Sequence, residues 1–396
     1  MTNWQELADT YFMRTGRRQP ITIVRGKGVR VWDDQGKEYL DFVGGWASDS
    51  LGHCHPLLKK ALREQAGKLW LASNQFYTIP QTQLAEALVK VSGMSRVFFV
   101  NGGAEANEGA IKLARKWGKL HRNGAYEIIS TYNSFHGRTL ATIAATGQRH
   151  YQEPFDPMPD GFTYVDYNNT EAIMSATRDK TVGILLEPVQ GEGGVNVPSP
   201  DYLRQVRRWC DEKGLLLILD EVQTGMGRLG TMFGYQQFGV KPDIMTLGKG
   251  LGGGAPLAAL LANTRADVFE PGDHGTTFGG NALVCSVGYA IVNYMQENHL
   301  PERVSQVGKF LKGSLEEMSS QFPFVKEVRG MGLLLAVEFT QDISATVVSR
   351  CNQAGLLLNP VRPNAIRLMP SLILTRRDAS KAVAILKGVF DTIHKE

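Results

Sequence analysis

Residues 215–228 read LLLILDEVQTGMGR: an unbroken apolar run, then an acid, then a loop interrupted by glycine. A strand with one face in water alternates apolar and polar side chains, whereas a run that is apolar at every position has both faces covered, as in a mainly parallel sheet packed between helices. Outward from it the pattern recurs in SRVFFV (95–100), YEIIS (126–130), FTYVDY (162–167), VGILLEP (182–188), DIMTL (243–247) and PLAALLAN (256–263). With helical segments between them, these runs predict an α/β fold built on a mainly parallel, seven-stranded sheet. Ligands on such sheets sit at the carboxyl ends of the strands, so function is read from the residues that follow each run.

At 396 residues the chain exceeds what one core usually supports, which predicts a large domain and a smaller one. The runs place the large domain at 56–285. Before it, ITIVRGKGVRVWDDQGKEYLDF (21–42) alternates around glycine turns like a small antiparallel sheet. After it, EVRGMGLLLAVEF (327–339), LLLNPV (356–361) and a last helix predict a smaller α/β domain over 286–396, to which 1–55 contributes an N-terminal segment.

Hydrophobic content of 43%, charge of 21% and a net charge of +4 are ordinary for a soluble globular protein. No basic run with interleaved aromatics suggests nucleic acid. The four cysteines, Cys54, Cys210, Cys285 and Cys351, lie far apart, with no spacing for a metal site or a redox dithiol. The N-terminal MTNWQELADTYFMRTGRRQP has an amphipathic helical pattern rather than that of a leader, and no apolar run reaches the length of a membrane span. These features predict a cytoplasmic protein that holds no metal and binds neither membrane nor nucleic acid.

The strand ends are more specific. SRVFFV leads into NGGAEANEGAIKLAR (101–115), a glycine turn opening a helix, whose free N–H groups and positive dipole end suit a phosphate at Gly103 and Ala104; an ordinary strand-to-helix turn reads the same way. YEIIS leads to SFHGRT (134–139), where Phe135 can lie against a flat ring and Arg138 can grip a carboxylate, although loop arginines are commonly solvated. LLLILD delivers Asp220, which needs a cationic or hydrogen-bonding partner to stay ionised, unless it merely caps the next turn. PDIMTLGKGLGGGAP (242–256) delivers Lys249, a solitary amine amid glycines that let other atoms approach the backbone.

A phosphate cradle, a flat ring's neighbour, a buried acid and a crowded lysine together match pyridoxal phosphate, which forms a Schiff base with lysine and needs an acid opposite its pyridine nitrogen. Lys249 then supplies the amine and Asp220 the pyridinium partner. A lysine that acts as nucleophile and proton carrier needs its pKa depressed below about 10.4; burial and the nearby pyridinium would both do so.

The ordered set NGGAEANEGAIKLAR, SFHGRT, EPVQGEGG (187–194), LLLILDEVQTGMGR, DIMTLGKGLGGGAPLAA and HGTTFGGN (274–281) resembles the class III pyridoxal-phosphate aminotransferases, the acetylornithine group most of all. The resemblance spans nearly the whole chain, to AIRLMPSL (365–372). It implies an aspartate-aminotransferase-type (fold type I) architecture, a homodimer with shared active sites, and transfer of an amino group from a small-molecule donor to 2-oxoglutarate, giving glutamate. It implies phosphate contacts from Gly103 and Ala104, ring contacts from Phe135, Asp220, Glu221, Val222 and Gln223, and a covalent link to Lys249. Thr277 would reach the phosphate from the other subunit. Substrate contacts would come from Arg138, Thr276, Arg367 and Glu192, with Glu192 pairing to Arg367 and releasing it when glutamate enters.

Two positions depart from the family pattern: Gly102 stands where Ser or Thr is usual, and Trp46 where acetylornithine enzymes often carry a small aliphatic residue and ornithine or acyl-lysine enzymes an aromatic. Acyl-lysine, succinyl-diaminopimelate, ornithine and 4-aminobutyrate are therefore alternative donors. A dinucleotide-dependent oxidoreductase is the alternative from another class, because GMGRLG (225–230) and GKGLGG (248–253) fit G-x-G-x-x-G. That fingerprint must open a helix, and neither match is followed by a helical pattern.

Overall fold

A computed structural model describes residues 3–396. In chain order its strands are β1 (Ile23–Lys27), β2 (Arg30–Asp33), β3 (Glu38–Asp41), β4 (Arg96–Val100), β5 (Glu127–Thr131), β6 (Phe162–Val165), β7 (Thr181–Leu186), β8 (Leu216–Asp220), β9 (Ile244–Leu247) and β10 (Ala258–Ala262). The C-terminal third adds β11 (Val325–Met331), β12 (Leu334–Phe339), β13 (Leu356–Leu357), β14 (Asn359–Arg362) and β15 (Ala365–Leu368). The central sheet has seven strands in the order β4-β10-β9-β8-β7-β5-β6, and they are the seven apolar runs of the sequence. Every residue of β7, β8, β9 and β10 is buried, as a sheet covered on both faces requires.

Strands β9, β8, β7, β5 and β6 run parallel; β10 is antiparallel to both its neighbours. The glycine-rich turn after Lys249 is too short for a helical crossover, so the chain returns beside β9 in the opposite direction. Register then levels the strand ends: Asp220 lies beside Thr246, Leu219 beside Leu186, and the start of β10 at Ala258 beside the end of β4 at Val100.

Two smaller sheets flank this one. The β1-β2-β3 meander is extended by β13, parallel to β3, and thus ties the N-terminal segment to the C-terminal region. The antiparallel sheet β11-β12-β15-β14 carries Arg367, which pairs with Ala336 of β12 and Asn359 of β14. The helix Ala282–Glu297 runs through the boundary expected at 285/286 and packs on the helices Pro56–Ala66 and Ile79–Ser92. The N-terminal helix Trp4–Tyr11 forms as expected, but buries none of its residues; Met1 and Thr2, the start of that reading, lie outside the described residues.

Candidate active site

Three loops from adjacent strand ends meet at one point. A Cβ built on Gly103, after β4, would lie 2.7 Å from Val222 Cγ1, after β8, and one on Gly248, after β9, 3.3 Å from the same carbon and 3.5 Å from Gly103. The helix Gly103–His121 starts here, capped by Gly102 without any side-chain bond, so no capping side chain takes up the N–H groups of its first turn. Open space surrounds the position of a Cβ on Gly102. The missing hydroxyl at this position is therefore a chemical difference, with no steric demand for glycine.

Asp220 is buried and finds the partners that the sequence demanded. Its Oδ2 accepts from Asn107 Nδ2 at 2.7 Å and lies 2.8 Å from His136 Nδ1, while Oδ1 accepts from Val222 N at 3.0 Å. Asn107 also donates to the carbonyl of His136 and accepts from Thr246 Oγ1, so the loop after β5, β8, β9 and the helix Gly103–His121 all fix this carboxylate. Asn107 and Thr246 were not singled out in the sequence, and His136 was noted only as part of its loop. Asn107 stands one helical turn after Gly103, on the face that looks at the strand ends, and that spacing was the available signal.

Lys249 sits at φ 43°, in the left-handed region, at the head of the short 3-10 turn Lys249–Leu251. A lysine held there is strained, and such strain clusters at functional positions. Burial lowers its pKa below the ordinary lysine range; the charge of Glu192 opposes that shift and Arg367 adds to it. The amine therefore shares one electrostatic environment with Glu192, Arg367, Asp220 and Glu187.

Glu192, Gln223 and Arg367 form a closed triad. Arg367 is fully buried, and its Nη1 lies 2.8 Å from Glu192 Oε1 and donates to Gln223 Oε1 at 3.1 Å. Gln223 Nε2 donates to Glu192 Oε1 at 3.2 Å. Burial would raise the Glu192 carboxyl, but the charges of Arg367 and Lys249 and the bonds from Arg367 and Gln223 bring it down to about 2. Arg367 Nε and Nη2 have no hydrogen-bond partner among the described residues. A buried guanidinium with two idle nitrogens is prepared to hold another acceptor, and a carboxylate fits its fork.

The remaining expected residues divide. Phe135 stands beside the site, its N–H donating to Glu187 Oε2 at 3.0 Å, and Glu187 Oε1 also accepts from Gly191 N at 3.1 Å. Burial pushes the Glu187 carboxyl up to about 7, with Asp220 adding to the push and His136 opposing it. Arg138 is exposed and lies over the Tyr151 ring at 3.9 Å, a partner the sequence did not suggest. The Glu221 carboxylate is engaged within the protein, accepting from Gly234 N, Tyr235 N and Thr224 Oγ1. The amide of Gln223 is occupied by Glu192 and Arg367. Thr276 Oγ1 accepts from Gly279 N at 3.0 Å and holds its own turn, while Thr277 is exposed.

These residues fit pyridoxal phosphate. A buried amine, a buried acid with fixed donors, a bare helix start and an aromatic ring converge, and the close approach of Gly103 to Val222 keeps the cradle free of side chains. Neither G-x-G-x-x-G match opens a helix: 225–230 lies in turns, and 248–253 leads to β10.

Comparison with known proteins agrees with this geometry. Residues 11–390 match the model of the family Aminotransferase class-III. A curated acetylornithine aminotransferase of Caldanaerobacter subterraneus is 47% identical over 97% of this chain and 98% of its own length. That of Methanocaldococcus jannaschii is 46% identical over 99% of both chains. Among solved structures, an ornithine aminotransferase from Toxoplasma gondii superposes with a TM-score of 0.95 at 35% identity, covering 99% of this chain and 95% of that one. An acetylornithine aminotransferase from Elizabethkingia anophelis gives 0.88 at 34% identity, covering 98% of each.

Proposed function

The chain belongs to the class III aminotransferases, and from that premise we propose that it transfers the terminal amino group of N-acetylornithine to 2-oxoglutarate, giving N-acetylglutamate 5-semialdehyde and glutamate for arginine biosynthesis. The observation that carries this reading is the Arg367–Glu192 pair at 2.8 Å. One pocket must hold a donor whose reacting amine is far from its carboxylate, and glutamate, whose reacting amine is beside one. With the first bound, Arg367 faces no anion and Glu192 neutralises it; with the second, Glu192 withdraws and the carboxylate takes its place. Arg138, exposed and lying over the Tyr151 ring, would take the distant carboxylate of either substrate.

When bound, pyridoxal phosphate supplies the carbonyl that captures the donor amine and the ring that accepts electrons from the adjacent carbon. The chain's own groups do the rest. Lys249 would hold the cofactor and then, once freed, move the proton to and from the carbon that bears the amine; its burial leaves more of it in the unprotonated form than an exposed lysine. Asp220, fixed by Asn107 and His136, would accept the hydrogen bond of the ring nitrogen and keep it charged. Gly103 and Ala104 would give N–H groups to the phosphate, and Phe135 would cover the ring.

Trp46 favours a second reading. The turn Gly44–Ala47 packs against Lys249–Leu251, and the Trp46 side chain, 60% exposed on the single chain, would line the donor's approach as the resemblance to enzymes for ornithine or acyl-lysine implies. A panel of N-acetylornithine, ornithine, succinyl-diaminopimelate, N-acetyl-lysine and 4-aminobutyrate, scored as kcat/KM with 2-oxoglutarate, tests the assignment. N-acetylornithine should lead, and a lead of about tenfold or more by another donor overturns it.

We also propose a cytoplasmic homodimer. No helix among the described residues is long and apolar enough to cross a membrane. Trp70, Phe76, Tyr77, Ile79 and Phe278 are large apolar side chains exposed on the single chain, and Asn74 ties their segment to the backbone of Thr276 and Gly279.

A further inference from the structure

The loop from Asp41 to His53 carries four consecutive left-handed residues: Gly44 (φ 53°), Gly45 (φ 58°), Trp46 (φ 55°) and Ala47 (φ 68°). Single left-handed glycines are routine, but a tryptophan and an alanine held there in succession require a surrounding structure that imposes the conformation. The turn occupies a consequential place. A Cβ built on Gly44 would lie 2.6 Å from the carbonyl of Met369, two residues beyond Arg367, and one built on Gly250, next to Lys249, 3.9 Å from the carbonyl of Ala47.

A side-chain bridge closes the base of this loop. Asp41 Oδ1 accepts from Val43 N and Gly44 N at 2.9 Å each and starts the turn. Its Oδ2 lies 2.8 Å from His53 Nε2, and the same nitrogen is 3.4 Å from Asp49 Oδ2. The first and last residues of the loop are thereby linked to each other and to Asp49, whose N–H donates to the carbonyl of Gly44 at 3.0 Å. His53 cannot drift, because its backbone exchanges both hydrogen bonds with Gly28 and its ring lies against Gly26, where a Cβ would come within 2.6 Å of its own. Arg228, buried behind Asp49, donates to the carbonyls of Leu333 and Pro370 and anchors the opposite side.

We propose that His53, Asp41 and Asp49 are positioning residues of the donor site: their bridge holds the left-handed turn Gly44–Ala47 against the Lys249 turn, and so aims Trp46, exposed on the single chain, at the non-reacting arm of the amino donor. The proposal rests on the reading of the site as that of an ω-amino-donor aminotransferase. Neither His53 nor Asp49 touches the reacting atoms; they act through Trp46.

The test is a double-mutant cycle on the holoenzyme, using whichever donor the panel above selects, so that a wrong donor overturns that assignment and leaves this one decidable. His53→Ala should raise the donor KM about tenfold while kcat and the glutamate half-reaction stay within about twofold. In a Trp46→Ala background the same substitution should add nothing, because the wall it positions is already gone. His53→Gln, whose amide can donate where Nε2 does, should recover most of the loss. Additive effects of His53→Ala and Trp46→Ala, or equal losses on donor and glutamate, overturn the proposal. If His53→Ala does not fold, Asp49→Asn, which keeps the shape and removes the charge, is judged in the same cycle by the same criteria.

Discussion

Lys249 has a strained backbone, a buried amine and two opposed charges within reach, and each makes it a poor surface lysine. Replacing it by Ala removes the side chain beyond Cβ, amine included; the helix start, Phe135 and Asp220 remain. Lys249→Ala should therefore still bind pyridoxal phosphate, without the covalent adduct that borohydride traps, and should lose nearly all turnover. Trapping on another lysine would contradict the assignment. Asp220→Asn separates binding from chemistry: the amide keeps the shape, but it cannot hold a proton on the ring nitrogen by charge. The rate should fall by a few kcal/mol, roughly 100-fold or more, with cofactor retained. A loss of only a few-fold would count against the role.

Glu192 adds a sign to the residue scale. Its folded pKa lies below the ordinary carboxylate value, so the pairing with Arg367 is fully present above that ordinary value and is lost only as pH falls through about 2. Protonation thus cannot open the pair at working pH, which leaves an incoming carboxylate as the opener. Glu192→Ala should shift kcat/KM toward the glutamate half-reaction by about tenfold, roughly 1.4 kcal/mol, and Arg367→Ala should shift it the other way. Equal losses on both half-reactions in both variants would falsify the exchange.

Among the elements, the strand ends were legible because a buried parallel strand is apolar at every position until it meets the ligand; Asp220 ends such a run and Lys249 follows one, while Gly103 follows the edge strand β4. Asn107, His136 and Thr246 were not, since they reach Asp220 from three other elements, and only the sheet order brings those together. The partners of the Glu221 carboxylate, Gly234, Tyr235 and Thr224, were equally hidden, because side-chain direction past a strand end depends on the turn. The left-handed turn at Gly44–Ala47 was hidden for a different reason: Trp and Ala disfavour φ near 55–68°, and long-range bonds from His53 override that preference. The helix start at Gly102–Gly103 offers a paired test. A Cβ at Gly102 meets open space, so Gly102→Ser should keep cofactor affinity and add a cap worth a few tenths of a kcal/mol. One at Gly103 would meet both Val222 γ-carbons at 3.0 Å or less, so Gly103→Ala should push the cradle open and weaken cofactor binding by about 1–3 kcal/mol, read from the dissociation constant.

At the scale of the whole molecule, the proposed homodimer makes Thr277 informative, because it is exposed on its own chain and its expected phosphate belongs to the partner. If each site takes Lys249 from one subunit and Thr277 from the other, the two residues can be disabled separately and recombined. A Lys249→Ala homodimer has no competent site, and a Thr277→Ala homodimer has two with weakened phosphate binding. In a mixed dimer one site combines both defects, while the other joins the intact Lys249 of the Thr277→Ala chain to the intact Thr277 of the Lys249→Ala chain. Unfolding and refolding the two variants together should therefore give about half of the dimers one wild-type site, by random pairing. At a cofactor concentration below the dissociation constant of the Thr277→Ala enzyme, activity should exceed the sum of the two variants measured apart. The refolded sample should run at twice the 43.6 kDa of one chain. Activity no greater than that sum, from a sample that runs as a dimer, would place Thr277 at the phosphate of its own subunit or at none.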